Sequence, residues 1–132
     1  MRFCTAGVSI GLFCATPAVV LSRAVPRKAA LEMLPTGEMI VSAEARRIGL
    51  VNRVVRTGEA GAAGVALAEA IAARSAVAVR LGKASFHRQL GLCLADAYED
   101  AARAMVENLM AEDAAEGIDA FLEKRAPRWR DR

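Results

Sequence analysis

Few side chains in this 132-residue sequence have the types and spacing that catalysis or metal binding requires. His87 is the single histidine, and no serine or cysteine stands close to it in a nucleophile motif. A zinc site draws on several histidines and cysteines at short spacing, and the cysteines here form no C-x-x-C pair. They are Cys4, Cys14 and Cys93. We therefore expect no metal site, an ordinary helical role for His87, and reduced, mostly buried thiols in a cytosolic or organellar interior.

The densest group of charges lies at the C-terminal end and is basic. The net charge of the whole chain is only +3, which is too small to indicate a nucleic-acid partner, and no basic run carries interleaved aromatic residues. The terminal charges are Lys124, Arg125, Arg128, Arg130 and Arg132, against Glu123 and Asp131. Such a cluster suits a phosphate-bearing ligand, and it is also typical of a solvated, fraying terminus.

The stretch before these charges has the pattern of one short helix. Asp113 in the N-cap position and Glu116 three residues later form a capping box. An apolar stripe at i, i+3, i+4 spacing follows, made of Ile118, Phe121 and Leu122. Lys124 and Arg125 suit the C-terminal end of a helix dipole, and Pro127 prevents continuation. Two interpretations stay open: a terminal helix that docks its apolar face on its own chain, and a helix that covers a ligand pocket.

The rest of the chain is predicted to be mostly α-helical with one or two short strands. Hydrophobic residues make up 55% of the sequence, and many are alanines, which favour close-packed helices. The predicted elements are an extended entry at 2–8, helices Pro17–Arg23 (capped by Thr16), Pro26–Leu34 and Ala43–Ile48 (capped by Ser42), a strand Leu50–Val55, and helices Ala60–Ser75, Val77–Leu90 and Asp96–Met110. The expected core positions include Ala30, Leu31, Leu34, Tyr98, Met105 and Met110.

The N-terminal region allows a second interpretation. Residues 3–21 are apolar enough to pass as a secretory signal, with residues 22–24 as a poor cleavage site. Turn and cap residues interrupt this run, which makes it too broken for a good transmembrane helix. We therefore predict no membrane span and keep a secreted helical protein with a signal at 1–24 as an alternative.

Two longer stretches carry patterns of their own. The first is similar to A-x-x-M-x-x-T-G-x-x-x-x-A-x-x-A-x-x-x-G-L-V-x-x-V-V, with Ser42 where the pattern has alanine, and comprises Ala30, Met33, Thr36, Gly37, Ser42, Ala43, Ala45, Gly49, Leu50, Val51, Val54 and Val55. The second comprises Asp113, Glu116, Gly117, Ala120, Phe121, Glu123, Lys124, Arg125, Pro127 and Trp129. Together they resemble signatures of the crotonase (enoyl-CoA hydratase/isomerase) superfamily, and the similarity is greatest to its enoyl-CoA hydratase domain-containing type.

The resemblance covers nearly the whole chain but only the later half of a crotonase domain. It implies the C-terminal part of an α/β crotonase (ClpP/crotonase-like) fold, with 1–55 as the end of the core and 56–132 as the C-terminal helical region. It further implies a homo-oligomer, trimeric or hexameric as in the family, located in the cytoplasm or, in a eukaryote, in mitochondria.

The same resemblance implies a binding role for two residues. In the family the last helix often lies across a neighbouring subunit's active site, and the aromatic and lysine that match Phe121 and Lys124 lie near the CoA moiety. A flat ring can stack on adenine, and an ammonium is a compact partner for phosphate. CoA or acyl-CoA is therefore the expected ligand. The thioester is the substrate moiety, and no separate cofactor is expected.

The resemblance does not place the family's catalytic residues on this chain. Family hydratases use two glutamates to add water across the enoyl double bond, since one can take a proton while the other gives one. One of these positions is Gly7 here, in a loop that is also one residue shorter before Thr16 and Pro17. The other glutamate, and the oxyanion-hole N–H donors, would precede Met1. No catalytic residue is named on this chain.

These observations predict a protein of fatty-acid metabolism that binds or acts on acyl-CoA thioesters. Whether as hydratase or isomerase, we expect it to be a poor catalyst on its own. A non-catalytic interaction module that assembles with intact crotonase subunits is the second hypothesis, and the secreted helical protein is the third.

Overall fold

The computed structural model describes residues 1–132 as seven α-helices, one 3-10 helix and one pair of two-residue strands. The mostly helical character predicted from the alanine-rich sequence is confirmed. The chain divides into two compact units, Met1–Gly61 and Ala62–Arg132.

The first unit is built around a small apolar core between two helices. Its elements are β1 (Arg2–Phe3), the 3-10 helix (Ala6–Ile10), α1 (Ala15–Ala24), α2 (Arg27–Thr36), β2 (Ile40–Val41) and α3 (Ser42–Arg47). The two strands are antiparallel, with Arg2 opposite Val41. The buried core residues are Leu21, Val25, Ala30, Met33, Leu34 and Ile48. Leu31, expected in this core, is 67% exposed, and Met33 is buried instead because it shares a helix face with Ala30 and Leu34.

The predicted strand at Leu50–Val55 is wrong. These residues form neither helix nor strand, and the N–H groups of Leu50 and Val51 donate to the carbonyl of Ala45 at 2.8 and 3.3 Å. Strand propensity needs a partner with free backbone groups, and β1 takes β2 as that partner.

Three predicted helix boundaries are also wrong. Cys14, and not Thr16, is the N-cap residue of α1, while Ser42 lies inside α3 and donates its hydroxyl to the Met1 carbonyl at 2.9 Å. Helix α2 continues through Pro35 to Thr36. A proline in the last turn removes only one late hydrogen bond, and the helix ends at Gly37, whose φ of 63° is the left-handed conformation that favours glycine.

The second unit contains α4 (Ala60–Ala72, which begins at the boundary), α5 (Ala76–Gln89), α6 (Leu94–Leu109) and α7 (Glu112–Leu122). Its only buried apolar side chains are Val77 and Ala120. Residues predicted for the core are solvent-exposed: Tyr98 is 71%, Met105 60% and Met110 82% exposed. The helices of this unit therefore present uncovered apolar faces.

The cysteines are more exposed than the sequence predicts. All three thiols are free, but Cys4 and Cys93 are exposed and Cys14 is half-buried, so the expectation of mostly buried thiols is wrong. No single helix is long and apolar enough to cross a membrane, whereas α4 and α5 reach the required length and composition only as a pair bent by 105°.

Candidate functional site

The carboxylates predicted to cap α7 hold the C-terminal tail instead. We define the tail as residues 125–132. Helix α7 begins after Ala111, which has no side-chain cap, so the capping box of Asp113 and Glu116 is wrong. The Asp113 carboxylate accepts backbone N–H groups of Arg130 at 2.7 Å and Asp131 at 3.2 Å. The helix dipole still stabilises this carboxylate in the first turn of α7, while its oxygens accept hydrogen bonds from the N–H groups of the tail.

Glu116 makes the most concentrated set of charged contacts in the site. Its carboxylate accepts two N–H groups of the Arg125 guanidinium, at 2.6 and 3.0 Å, and the backbone N–H of Arg128 at 2.8 Å. Two-point pairing of this kind fixes geometry as well as charge. The Arg125 hydrogen bond, followed by that from the Arg128 N–H, lowers the pKa of Glu116 to about 2 from its ordinary 4.5.

Lys124 lies in the turn that joins α7 to the tail. The Arg125 N–H donates to the Ala120 carbonyl at 3.0 Å, and the Lys124 N–H to the Phe121 carbonyl at 3.2 Å, which is a Schellman arrangement. Lys124 occupies its left-handed position with φ 55°. Glycine is usual there, because a side chain in this conformation costs roughly 1–2 kcal/mol. The surrounding contacts must therefore stabilise the turn.

The far end of the tail is anchored on the connection between α4 and α5 and on the first residue of α5. The Trp129 indole N–H donates to the Ala73 carbonyl at 3.0 Å, and its ring lies so close to Gly117 that a Cβ there would approach within 3.3 Å. Asp131 accepts the N–H of Ala76 at 2.9 Å. Asp113 is only 3% exposed, and the Ser75 hydroxyl and the Arg130 N–H lower its pKa. The basic terminus is therefore docked, rather than frayed.

Phe121 and Lys124 are brought together at the exposed end of α7. The Phe121 ring is 83% exposed, and Lys124 is also exposed. Ile118 and Leu122 are 53% and 70% exposed, so the apolar stripe does not dock on this chain. Phe121 borders an open groove of about 360 Å³. The lining residues are Ser75, Ala78, Asn108, Asp113, Ala114, Gly117, Ile118, Phe121, Leu122 and Trp129.

Gly7, the other position of interest, has no space for a side chain. It lies in the 3-10 helix, where a Cβ would lie 2.6 Å from the Leu12 carbonyl oxygen and 2.7 Å from the Cys14 sulfur. Real Cβ contacts are essentially never this short. The sequence alone could not show that a side chain at position 7 would clash, because the clash depends on how the following loop folds back.

The carboxylates with displaced pKa values do not suit proton transfer. These are Glu44, Asp100, Asp113 and Glu116, and each pKa is lowered. The pKa of Asp100, on α6, is lowered mainly by the hydrogen bond from Arg88 on α5. A general acid at neutral pH needs the opposite displacement. No group of three or more histidine, cysteine, aspartate or glutamate side chains is placed to hold a metal ion.

The lowered pKa of Glu116 predicts that acid loosens the turn that joins α7 to the tail. A carboxylate whose pKa falls from 4.5 unfolded to about 2 folded stabilises this turn above pH 4.5, and the stability is lost as the pH falls toward 2. The N–H groups of Lys124 and Arg125 are bonded within the turn, so their hydrogen exchange reports on it. We expect the protection of these two amides, relative to the intrinsic exchange rate at each pH, to be constant from pH 7 down to about 4.5 and to fall below that.

Two variants check this assignment. Glu116→Gln should weaken the acid transition in this window, since the amide does not titrate, whereas Glu99→Gln on α6, which removes a surface ion pair with Arg103, should not. Identical acid profiles for the unmodified chain and Glu116→Gln would contradict the assignment.

The whole chain and its fold match known proteins. A family model described as enoyl-CoA hydratase/isomerase matches residues 1–132. Enoyl-CoA hydratase domain-containing protein 3, mitochondrial, from Rattus norvegicus is 52% identical over 127 residues, 96% of this chain and 42% of that protein.

Solved structures agree with the sequence match. The crystal structure of an enoyl-CoA hydratase from Mycobacterium smegmatis superposes with a TM-score of 0.93 at 48% identity, over 97% of this chain and 50% of that one. For the crystal structure of human enoyl-CoA hydratase domain-containing protein 3 the TM-score is 0.92 at 51% identity, over 97% of this chain and 51% of that one. The chain thus spans about half the length of the relatives it matches.

Proposed function

Since this chain belongs to the enoyl-CoA hydratase/isomerase family, we propose that it binds CoA or acyl-CoA, with Phe121 and Lys124 contacting the CoA moiety. The predicted crotonase membership and its enoyl-CoA hydratase domain-containing type are confirmed by the comparisons, as is the predicted partial crotonase fold. The ligand and the two contact residues are our proposal.

One observation carries the proposal: an exposed ring and an exposed cation lie at the same end of α7. The backbone of Lys124 is hydrogen-bonded to that of Phe121, so the positions from which the two side chains extend are fixed. Neither side chain is needed for packing, since the Phe121 ring is 83% exposed. Such a pair suits a ligand that joins a flat base to phosphate groups, as CoA does. The other walls of the pocket would come from the remainder of the family fold or from a neighbouring subunit.

We propose further that this chain alone is a poor catalyst for acyl-CoA hydration or isomerisation. A hydratase needs a carboxylate that takes a proton and another that gives one. Position 7 has no side chain, and the carboxylates with displaced pKa values are tied to arginines or backbone N–H groups. We place the chain in fatty-acid metabolism through binding, with the thioester as ligand and no separate cofactor.

Calorimetric titration with CoA tests the proposal, and Lys124→Gly is the sharpest variant. Glycine removes the ammonium but suits the left-handed turn, so we expect affinity to fall about 3- to 10-fold at low salt. The difference should shrink as salt is added, because exposed charges are screened. The same substitution should raise stability by about 1 kcal/mol, since the strained φ is relieved.

The control for Lys124→Gly is Lys83→Ala on α5, which removes one exposed positive charge elsewhere and should leave CoA affinity unchanged. Unchanged CoA affinity in Lys124→Gly would mean that Lys124 acts only as a positive charge at the end of α7 and does not contact CoA.

A second proposal is that the chain assembles with intact crotonase subunits as a non-catalytic module. The uncovered apolar residues of α6 and α7, such as Met105 and Leu122, favour it, because monomeric surfaces rarely leave such faces in solvent. Co-purification with a full-length relative, and its disruption by Met105→Glu, would support assembly. If the two chains purified separately, with no complex between them, the proposal would be contradicted.

The rat relative is named as mitochondrial, and we propose the same location for this chain in a eukaryote and the cytoplasm in a bacterium. Residues 1–24 lie inside the matched region, and Leu21 packs in the core. They belong to the folded domain, which argues against a secretory signal at residues 1–24.

A further inference from the structure

We infer that Glu116 is a positioning residue for Lys124, and that through Arg125 and the Arg128 backbone it holds the turn from which the ammonium meets the phosphates of CoA. This inference rests on the proposed function for the identity of the ligand. The placement of Lys124 itself can be tested without any ligand.

The turn needs an external anchor because its backbone is strained. Lys124 has φ 55°, a conformation that L side chains adopt at a cost. Without an anchor, Lys124 would relax toward right-handed helical angles and extend α7, which would turn its side chain to another face of the helix. Strained residues persist where the surrounding contacts fix them.

Glu116 supplies contacts on the C-terminal side of the turn. Arg125 immediately follows Lys124, and both of its terminal guanidinium nitrogens donate to Glu116. The Arg128 N–H donates to the same carboxylate at 2.8 Å. The Glu116 side chain is only 23% exposed, so these bonds are better protected from water than those of a fully exposed pair. The chain is therefore fixed at two points just beyond Lys124.

The Arg125 guanidinium also pairs with Glu123, but that contact lies within the turn and does not reach back to the first turns of α7. The remaining anchors of the tail lie farther from Lys124 and do not contact Glu116. Asp113 holds the N–H groups of Arg130 and Asp131, and Trp129 is bonded to Ala73. Removing the charge of Glu116 should therefore loosen the turn while the far end stays docked. This separation makes Glu116 the anchor with the most direct effect on Lys124.

A double-mutant cycle on CoA affinity tests the inference in the full chain. We expect Glu116→Gln to weaken CoA binding about threefold when Lys124 is present and to have no effect in a Lys124→Gly background, where there is no ammonium to position. Glu99→Gln is the matched control, because it also removes one acidic charge from a surface ion pair. Equal effects of Glu116→Gln in both backgrounds would overturn the inference, since they would indicate general destabilisation.

Hydrogen exchange gives a second readout that does not depend on CoA. The N–H groups of Lys124 and Arg125 are bonded within the turn. In Glu116→Gln we expect both to exchange severalfold faster, while amides in α6 keep their rates. Unchanged exchange in the turn would overturn the positioning role even if CoA binds. If exchange is faster in Glu116→Gln but the unmodified chain shows no CoA binding, the positioning role would be supported and the proposed ligand would be overturned.

Discussion

Gly7→Glu is expected to lower the free energy of unfolding of the first unit by at least about 2 kcal/mol, and to produce no hydration of a short enoyl-CoA. A Cβ at this position would lie 2.6 Å from the Leu12 carbonyl oxygen. That oxygen is backbone, and the Leu12 N–H is itself bonded to the Gly7 carbonyl at 2.9 Å, so the loop cannot yield without losing its own hydrogen bonds. Circular dichroism during urea denaturation measures the stability, and loss of the conjugated enoyl absorbance measures turnover.

Smaller changes separate the steric cause from the charge. Gly7→Ala alone should cost about 1–3 kcal/mol, because the clash begins at Cβ. Adding Cys14→Ala removes the sulfur that would lie 2.7 Å from that Cβ and should recover only part of the loss, since the Leu12 oxygen remains. Gly61→Ala, with no atom within 4 Å of its Cβ, is the control and should not destabilise. A stable Gly7→Ala variant, or turnover by Gly7→Glu, would contradict the assignment.

This result would connect two features that the sequence presents separately. The resemblance implies both a glycine in place of a family glutamate at position 7 and a shorter loop near Cys14. In the structure they are one feature, because the loop places the Cys14 sulfur and the Leu12 oxygen where a side chain at position 7 would begin. Introducing a carboxylate at position 7 alone is therefore not expected to produce hydratase activity.

Helices were predictable from this sequence to within a few residues, whereas what their end residues contact was not. The spacing of apolar residues predicts the body of α7, but Asp113 and Glu116 match a local capping rule that the structure does not follow. Their partners are Arg130, 17 residues later, and Arg125, 9 residues later. Capping rules describe only neighbouring backbone groups, so they could not indicate a tail that folds back over its own helix.

The candidate site shows the same limit. The resemblance indicated Phe121 and Lys124, and the structure places both at the exposed end of α7. It did not indicate Glu116 as an anchor, because a pair nine residues apart fits no helical spacing. The failed core prediction for Met105 has a related cause. Periodicity identifies an apolar face but not the surface that covers it.

Phe121→Ala is expected to weaken CoA binding by roughly tenfold, because stacking of a base on an aromatic ring contributes about 1–3 kcal/mol. The ring is 83% exposed, so its removal should change the free energy of unfolding by no more than about 0.5 kcal/mol. This combination distinguishes a ligand contact from a packing residue. Titration calorimetry measures the affinity, and urea denaturation of the same samples measures the stability.

Leu122→Ala is the matched control, because Leu122 is the next residue of α7 and is 70% exposed. It also removes apolar area, but it has no aromatic face on which adenine can stack. We expect CoA affinity to be unchanged in Leu122→Ala and to be largely preserved in Phe121→Tyr, which keeps the ring. Equal losses in Phe121→Ala and Leu122→Ala would mean that the α7 face acts as a general apolar surface, and they would favour subunit assembly over stacking as the role of this helix.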